Sequence, residues 1–370
     1  MTKIALYLAG GGARGAYQAG VLKAINEILQ VKQIPFTMIS GVSVGSMNAG
    51  MLASYAHDFS QAVERMEDMW NNLRCNQIFK ASNYHLGKSV LRNLINIIIK
   101  QRQSGFLLDS TPLRELINTS INFSLINDNL SQSGLQTIEI ISHSYETNQT
   151  VSFYQHYEKK FDDWSYPRHI SRRTDINPDT IMASSALPLF FPTIKMNGLH
   201  YGDGSMGLVA PLRGALRFSM NKILILGNRQ PAHFNNPVPK HNSDIGLAHI
   251  LGSMLNGLFL DNLDRDIEMV NRMNDIARLL SLWRKRNAPW RPVETMHLRP
   301  SKDMGHIAEE QYSSMPALLR ALLNMLGARS HSGDLLSFLL FEGQYTSELV
   351  TLGYQDTLSR AHDVQKFFAK

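Results

Sequence analysis

The sequence contains almost no cysteine, no long apolar run and no strong excess of charge, and each absence narrows what the protein can be. Cys75 is the single cysteine among 370 residues, so no internal disulfide can form. This fits a reducing compartment, or a fold large enough to need no cross-links. The longest apolar stretches, such as Leu94–Ile99, are too short to span a bilayer. We therefore expect no transmembrane helix.

The overall composition is that of a globular protein with a sizeable core, since 44% of the residues are hydrophobic and 18% are charged. The formal net charge of +6 is small for this length, and no nucleic-acid-binding motif accompanies it, so we expect no nucleic-acid partner. The N-terminus superficially resembles a secretion signal, but Ile4–Ala9 is a short apolar segment and Arg14 stands where cleavage would fall. We expect a cytoplasmic or peripheral membrane protein, and export by a dedicated secretion system stays open.

The first third of the chain alternates short apolar runs with segments of helical spacing. Lys3–Ala9 and Phe36–Ser40 are predicted to be strands, whereas Tyr17–Leu29 and Val44–Tyr55 are predicted to be helices. This β-α-β-α order is typical of a parallel sheet with helices on its faces.

The later segments continue the pattern and then become mostly helical. The predicted elements are helices at Gln61–Leu73, Lys88–Lys100 and within Asp244–Leu282, strands at Leu135–Ser142, Thr150–His156 and Asn221–Gly227, and a hairpin within Phe191–Met206. Asn228–Ser243 is rich in Pro and Asn and is predicted to be an exposed loop. We expect an α/β body over residues 1–230 and a mainly helical extension over residues 231–370, packed on the same body.

A Gly-x-Ser-x-Gly motif at Gly41–Gly45 lies between a predicted strand and a predicted helix. Flanking glycines allow the tight turn that projects a nucleophilic serine, here Ser43. The following helix directs its N-terminal amides, including that of Val44, towards the serine, where they can help to hold an oxyanion. The alternative is a plain strand-to-helix turn in which the serine is incidental.

A glycine-rich segment, Gly10–Gly15, follows the first predicted strand and also satisfies the Gly-x-Gly-x-x-Gly pattern of dinucleotide-binding proteins. That function requires a carboxylate at the end of the second strand. The strand Phe36–Ser40 has none and leads directly into the serine motif, which disfavours a dinucleotide site. Exposed glycine amides also suit an oxyanion hole. Arg14 would then orient the loop or add positive potential, the alternative being a surface salt bridge.

The serine needs a base, and Asp203 in the turn Asp203-Gly204-Ser205 is one candidate. An aspartate between glycines is more often only a turn residue. The chain also has 13 histidines as rival bases, none of them in an obvious motif. His143, His200, His297 and His306 are among these alternative candidate bases.

Three motifs in order, GGGARG at Gly10–Gly15, GVSVG at Gly41–Gly45 and DGS at Asp203–Ser205, resemble those of the patatin-like phospholipase family, particularly its bacterial members. Leu108–Leu113 and Ala183–Pro188 are similar to further parts of that family's pattern. The resemblance covers roughly residues 3–230. One departure is Ser205, where the family usually has glycine or alanine, and its hydroxyl can perturb the aspartate.

The resemblance implies a three-layer α/β fold, in which a central, mostly parallel sheet carries helices on both faces, together with the mainly helical C-terminal part. It also implies a Ser43–Asp203 dyad that needs no histidine, metal or cofactor. The remaining implied site residues are the nucleophile-elbow glycines Gly41 and Gly45, the turn residues Gly204 and Ser205, and the oxyanion-hole residues Gly10, Gly11, Gly12, Ala13, Arg14, Gly15 and Val44.

The function implied is that of a serine acyl hydrolase, which cleaves fatty-acyl esters of phospholipids or lysophospholipids through an acyl-enzyme. One alternative is an α/β-hydrolase-type esterase with a histidine base, although its elbow would follow several strands rather than the second. The other alternative is a catalytically weak lipid-binding module.

Several basic segments are candidates for contact with an anionic membrane surface. Lys88–Arg102 has an apolar centre with basic ends, while Trp283–Arg286 and Trp290-Arg291 combine indoles with cations. Arg168, Arg172 and Arg173 form another basic cluster. Each segment is also compatible with a core helix or an ordinary solvated surface.

Overall fold

The computed structural model describes residues 2–81, 108–158, 161–231, 247–259, 261–279, 290–312, 315–317, 320, 323–324 and 333–369. The strands described are β1 (Ile4–Leu8), β2 (Met38–Val42), β3 (Lys80–Ala81), β4 (Leu108–Asp109), β5 (Thr137–Ser144), β6 (Gln149–His156), β7 (Ser165–Tyr166), β8 (His169–Arg173), β9 (Ile194–Met196), β10 (Leu199–Asp203), β11 (Lys222–Leu226) and β12 (Glu294–Leu298). The helices described are α1 (Ala16–Leu29), α2 (Val44–Ser54), α3 (Phe59–Asn71), α4 (Thr111–Ser120), α5 (Phe123–Gln132), α6 (Pro178–Ser184), α7 (Arg213–Arg217), α8 (Leu247–Phe259), α9 (Asp261–Leu279), α10 (Met304–Glu310), α11 (Gly333–Leu339), α12 (Gly343–Leu358) and α13 (Ala361–Phe368).

A mixed sheet of ten of these strands forms the centre of the fold, in the order β12-β11-β1-β2-β5-β6-β8-β7. The run from β12 to β5 is parallel throughout, whereas β6 is antiparallel to β5. Strand β10 also pairs with β5, antiparallel, and β9 completes a hairpin with β10.

Both faces of the sheet are covered, as the buried runs of β1 and β11 require. Leu6 and Leu8 of β1 belong to the larger apolar cluster, which includes residues of α1, α2 and α3. Ala5 and Tyr7 face the opposite, smaller cluster, which includes residues of α7 and α9. The expected α/β architecture, with a mostly parallel sheet between helices, is confirmed.

The helices that follow residue 230 pack against the body of the fold. Helix α12 crosses α1 so closely that a Cβ at Gly20 would overlap the carbonyl oxygen of Val350, and one at Gly353 would overlap that of Tyr17. The division of the chain into two parts at residue 230 stays a prediction.

Most predicted elements are present with shifted ends. Strand β2 starts two residues later than predicted and continues through Gly41 to Val42, where it pairs with β5. Two separate helices, α8 and α9, fall within Asp244–Leu282. The predicted helix Lys88–Lys100 and most of the predicted loop Asn228–Ser243 lie outside the described residues. No helix in the described ranges is long and apolar enough to cross a bilayer.

Candidate active site

Ser43 and Asp203, 160 positions apart in the sequence, meet because two strands end against the same edge of β5. Strand β2 runs parallel to β5 and its last residue, Val42, pairs with Ile141. Strand β10 runs in the opposite direction and its last residue, Asp203, pairs with the adjacent Ser142. The carboxyl ends of the two strands therefore point towards each other and bring Ser43 and Asp203 together.

The backbone of Ser43 has the strained geometry of a nucleophile elbow. Its φ of 55° and ψ of −129° are rare for a residue with a side chain. The flanking glycines are needed for close packing, since a Cβ at Gly41 would overlap the carbonyl oxygen of Gly45 and one at Gly45 would overlap that of Leu8. The turn is thus pressed between β1 and the start of α2, and the serine projects from it.

Three serine side chains form hydrogen bonds with the backbone of Ser43 at this elbow. The Ser43 amide donates to Oγ of Ser184 at 2.9 Å, and that hydroxyl donates to the carbonyl oxygen of Ile141 at 2.6 Å. The Ser43 carbonyl oxygen accepts from the hydroxyls of Ser46 and Ser185. Ser184 and Ser185 belong to the family-like stretch Ala183–Pro188, so that stretch supports the backbone of the elbow.

Asp203 is completely buried, and this burial raises the pKa of its carboxyl to about 6. The Ser43 hydroxyl is near enough to oppose the rise in pKa, as are the amide and hydroxyl of Ser205. Oδ1 accepts the Ser205 amide at 2.9 Å. Within the described part of the chain, Oδ2 has no hydrogen bond of standard geometry, which leaves it able to receive a proton.

Gly204 allows Asp203 to approach the elbow. A Cβ at this position would overlap the carbonyl oxygen of Ile141 and press on a methyl group of Val42. The next residue, Ser205, turns its backbone amide onto the carboxylate. The departure from the family pattern at Ser205 therefore contributes a weak lowering of the Asp203 pKa, through its hydroxyl.

The glycine loop Gly10–Gly15 lies beside the elbow, where Gly11 and Gly12 both have positive φ, 153° and 57°. Gly12 and Val44 line the same cleft as Ser43. Among the described residues, no acceptor takes a hydrogen bond from the amide of Gly11 or Gly12. These amides are therefore available to a ligand, which is the property that an oxyanion hole requires.

The base of the loop is anchored by amide side chains. Asn228 donates through Nδ2 to the carbonyl oxygens of Ala9 and Gly10, at 3.0 Å each. Gln18 donates to Ala9 at 2.8 Å, and Asn48 donates to Gly15 at 3.1 Å. The two ends of the loop are thus fixed to α1, to α2 and to the segment that follows β11.

Arg14 is not among the residues that line the cleft with Ser43 and is buried, with only 3% of its surface exposed. Its guanidinium donates to Ser337, Asp334 and Asn256, at 2.8, 3.1 and 3.3 Å. It also lies 4.3 Å from the ring centroid of Phe338. Arg14 is therefore a buried link to the C-terminal helices and does not lie on the open surface.

An apolar cleft of about 570 Å³, including its open mouth, leads to Ser43. Its walls come from several helices and from the segments after α6 and α11. The lining residues are Gly12, Ser43, Val44, Met47, Met69, Trp70, Leu73, Ile78, Leu113, Ser185, Leu187, Phe191, Phe338, Leu339 and Phe341.

Of the rival bases, His143 on β5 is near Asp203, since it pairs with the adjacent residue Gly202. No histidine is among the described residues that line the cleft. His297 lies on β12, at the far edge of the sheet, with 14% of its side chain exposed, and desolvation lowers its pKa to about 3. His200 pairs with Glu146, and His306 lies near Glu309 and Glu310, all partly exposed. Burial also lowers the pKa of His143.

The candidate membrane segments fall partly outside the described residues, which include neither Lys88–Arg102 nor Trp283–Arg286. Trp290 donates to Asn274 and packs against the smaller apolar cluster. The basic cluster of Arg168, Arg172 and Arg173 lies on or beside β8, and β6 lies between β8 and β5. Arg172 pairs with Asp163 at 3.6 Å.

Sequence reasoning missed the contribution of the C-terminal part to this site. Asn256, Asp334, Ser337 and the cleft residues after them stand in no motif, and nothing local marks them. Their only sequence signal is indirect, since a buried arginine in a glycine loop needs acceptors from somewhere. In the described ranges, no group of three or more His, Cys, Asp or Glu side chains is placed to hold a metal ion.

Comparison with known proteins gives three similarities. A sequence model of the patatin-like phospholipase family matches residues 6–216, more than half of the chain. A patatin-like phospholipase domain-containing protein of Caenorhabditis elegans is 41% identical over 69 residues, which are 19% of this chain and 5% of that much longer protein. The structural match to the crystal structure of VipD from Legionella pneumophila covers 98% of this chain and 67% of the VipD chain, with 11% identity and a TM-score of 0.43. A TM-score this low supports no argument about this chain. The family match extends across the glycine loop, the elbow and the Asp203 turn, and the chain belongs to the patatin-like phospholipase family.

Proposed function

We propose that the protein is a serine acyl hydrolase that cleaves fatty-acyl esters of phospholipids or lysophospholipids, with Ser43 as nucleophile and Asp203 as base. The observation that carries the proposal is a strained serine that lines an apolar cleft together with Gly12 of the glycine loop and interacts with a buried aspartate behind it. Family membership supports lipid hydrolysis as the reaction class.

In the first half of the reaction, Oγ of Ser43 attacks the ester carbonyl carbon while its proton passes to Asp203. The carbonyl oxygen becomes an oxyanion, which the amides of Gly11, Gly12 and Val44 would stabilise. As the tetrahedral intermediate collapses, Asp203 returns the proton to the leaving alcohol, and the acyl group stays on Ser43.

In the second half, a water molecule attacks the acyl-enzyme and gives its proton to Asp203. Collapse of the second intermediate releases the fatty acid and restores the proton to Ser43. An ordinary aspartate is a weak base, but a carboxyl with a pKa near 6 is better matched to this exchange. Its burial therefore serves the chemistry directly.

The direct test is to incubate the purified protein with phospholipids, lysophospholipids and a short-chain chromogenic ester, and then to identify the products and any covalent adduct by mass spectrometry. We expect release of fatty acid, and labelling of Ser43 by a fluorophosphonate. Lipid binding without hydrolysis or labelling would contradict the proposal and favour a lipid-binding module.

The cleft is expected to hold one acyl chain, and Met69 in its wall offers a way to shorten it. Met69→Trp should leave hydrolysis of a four-carbon ester within about twofold and should lower kcat/KM for long-chain esters by about tenfold or more, because a hydrophobic pocket gains about 1–3 kcal/mol for each methylene it holds. The measurement is kcat/KM across p-nitrophenyl esters of increasing length.

Met269→Trp provides the matched control, since Met269 lies on α9 with 57% of its surface exposed. It should leave the chain-length profile unchanged. A profile that Met69→Trp does not alter would mean that the acyl chain binds outside this cleft.

We further propose that the mouth of the cleft contacts the lipid surface and that the net charge of +6 favours anionic membranes. Leu189 stands between the cleft residues Leu187 and Phe191. It has a positive φ of 69° and is 62% exposed. A bulky apolar residue held in this strained conformation at a cleft mouth is suited to insertion among lipids.

Leu189→Ser is therefore expected to lower activity on vesicles several-fold and to leave activity on soluble short-chain esters unchanged. Vesicles with and without anionic lipid, at low and high salt, separate the apolar from the charge contribution. Leu358→Ser, at a partly exposed position on α12, is the control. Equal losses on vesicles and soluble esters would refute membrane contact at Leu189.

A further inference from the structure

The glycine loop carries one side chain that reaches into the C-terminal part of the molecule. Arg14 donates through Nε to Ser337 at 2.8 Å and through its two terminal nitrogens to Asn256 and Asp334. We call these four residues the Arg14 clamp. Its three partners lie on α8 and α11.

The same helix α11 also touches the backbone of the loop. A Cβ at Gly12 would overlap the carbonyl oxygen of Phe338, so this part of α11 fixes how far Gly12 can move. The Phe338 side chain packs under the Arg14 guanidinium and lines the cleft. Helix α11 therefore contacts the loop at Arg14 and at Gly12, on the two sides of Ala13.

These contacts are costly to lose. Arg14 is 3% exposed, and removal of one acceptor would leave a buried, charged donor without its partner. The loop would then shift to regain a partner or admit water. Gly12, two residues away, would move with it.

We infer that α11 sets the position of the oxyanion loop through the Arg14 clamp, which makes Asp334 and Ser337 positioning residues for hydrolysis. Neither residue lines the cleft. This inference rests on the proposed function, because it assigns the loop amides to the oxyanion. Oxyanion donors must lie within a few tenths of an ångström of their place, and a misplacement of about 1 Å can cost about 100-fold in rate.

The test uses Asp334→Ala and Ser337→Ala with matched controls. Asp363→Ala removes an ion pair of the same length from an exposed arginine, since Arg360–Asp363 and Arg14–Asp334 both measure 3.1 Å and the aspartates are 56% and 51% exposed. Both aspartates also stand in the first turn of a helix. Ser133→Ala removes a buried hydroxyl that donates to a backbone carbonyl, as the Ser337 hydroxyl does.

On a soluble short-chain ester, each clamp variant is expected to lower kcat about tenfold and to leave KM within about twofold of the wild type. This loss in kcat is smaller than the loss expected when a hydrogen-bond donor of the oxyanion hole is removed altogether. Affinity for an alkyl boronic acid, which forms a tetrahedral adduct on a catalytic serine, should fall in parallel. Affinity for a non-hydrolysable ether lipid should not change. The two controls should match the wild type in all three measurements.

Hydrogen exchange of residues 10–15 gives a second readout that does not depend on turnover. Exchange in this loop should be faster in both clamp variants and unchanged in the controls. Folded clamp variants with wild-type kcat and wild-type loop exchange would overturn the inference. A wild type without esterase activity would instead refute the proposed function, and the exchange measurement would still decide whether the clamp holds the loop.

Discussion

Ser43→Ala is expected to reduce ester hydrolysis by roughly 10⁴-fold or more, because loss of the attacking oxygen removes the covalent route. Residual turnover would come from the oxyanion loop and from substrate binding alone. The measurement is kcat on a short-chain ester, together with fatty-acid release from phospholipid vesicles. Ser54→Ala is the control, since Ser54 is buried at the end of the same helix, α2, and donates only to the Met51 carbonyl.

The fold of the Ser43→Ala variant should persist, because alanine occupies the strained backbone at about the same cost as serine. Ser43→Gly should go further and raise the free energy of unfolding by about 1 kcal/mol, since glycine accepts a positive φ with little strain. Both variants should be equally inactive. Hydrolysis that survives in a folded Ser43→Ala protein would refute Ser43 as the nucleophile.

Asp203→Asn is expected to silence the enzyme almost as completely. Asparagine keeps the shape of the side chain and its acceptor for the Ser205 amide, but it cannot take the Ser43 proton. Because the two residues act as a unit, the double variant with Ser43→Ala should be little worse than either single variant.

In the wild type, kcat/KM should rise with pH through about 6, as Asp203 ionises, and then level off.

The Asp203→Asn substitution should stabilise the protein, by an amount that depends on pH. Burial raises the Asp203 pKa to about 6 from an ordinary value of 3.8, so the folded state prefers the neutral carboxyl. Ionisation therefore destabilises the wild type as pH rises from about 4 through 6, by up to about 3 kcal/mol. Asp203→Asn removes this penalty, so its gain in stability should be greatest above pH 6 and vanish below pH 4.

Glu139→Gln is the matched control for these effects. Glu139 is fully buried on β5, accepts a hydrogen bond from Ser40 at 2.6 Å, and has a pKa that burial raises. Its replacement should also stabilise the protein at neutral and alkaline pH, yet leave turnover unchanged. Substantial activity in Asp203→Asn, or a single histidine whose replacement silences a folded enzyme, would point to a different base.

What the sequence determines by itself is local. The glycines around Ser43, the glycine loop and the Asp203-Gly204 turn each encode a backbone shape within a few residues, and their order along the chain indicates the family. The apolar runs of β1 and β11 likewise predict a buried parallel sheet, because a strand covered on both faces is apolar throughout. The family and the α/β fold were therefore predictable, and both are confirmed.

What the tertiary structure alone decides is which distant residues meet, and how far water is kept from them. Ser43 and Asp203 approach each other only because β2 and β10 end at neighbouring residues of β5. The raised pKa of Asp203 follows from complete burial, which no local pattern encodes. Arg14 finds Asp334 across 320 positions of sequence. Contacts of this kind depend on long-range packing, since desolvation and hydrogen bonding act through space and not along the chain.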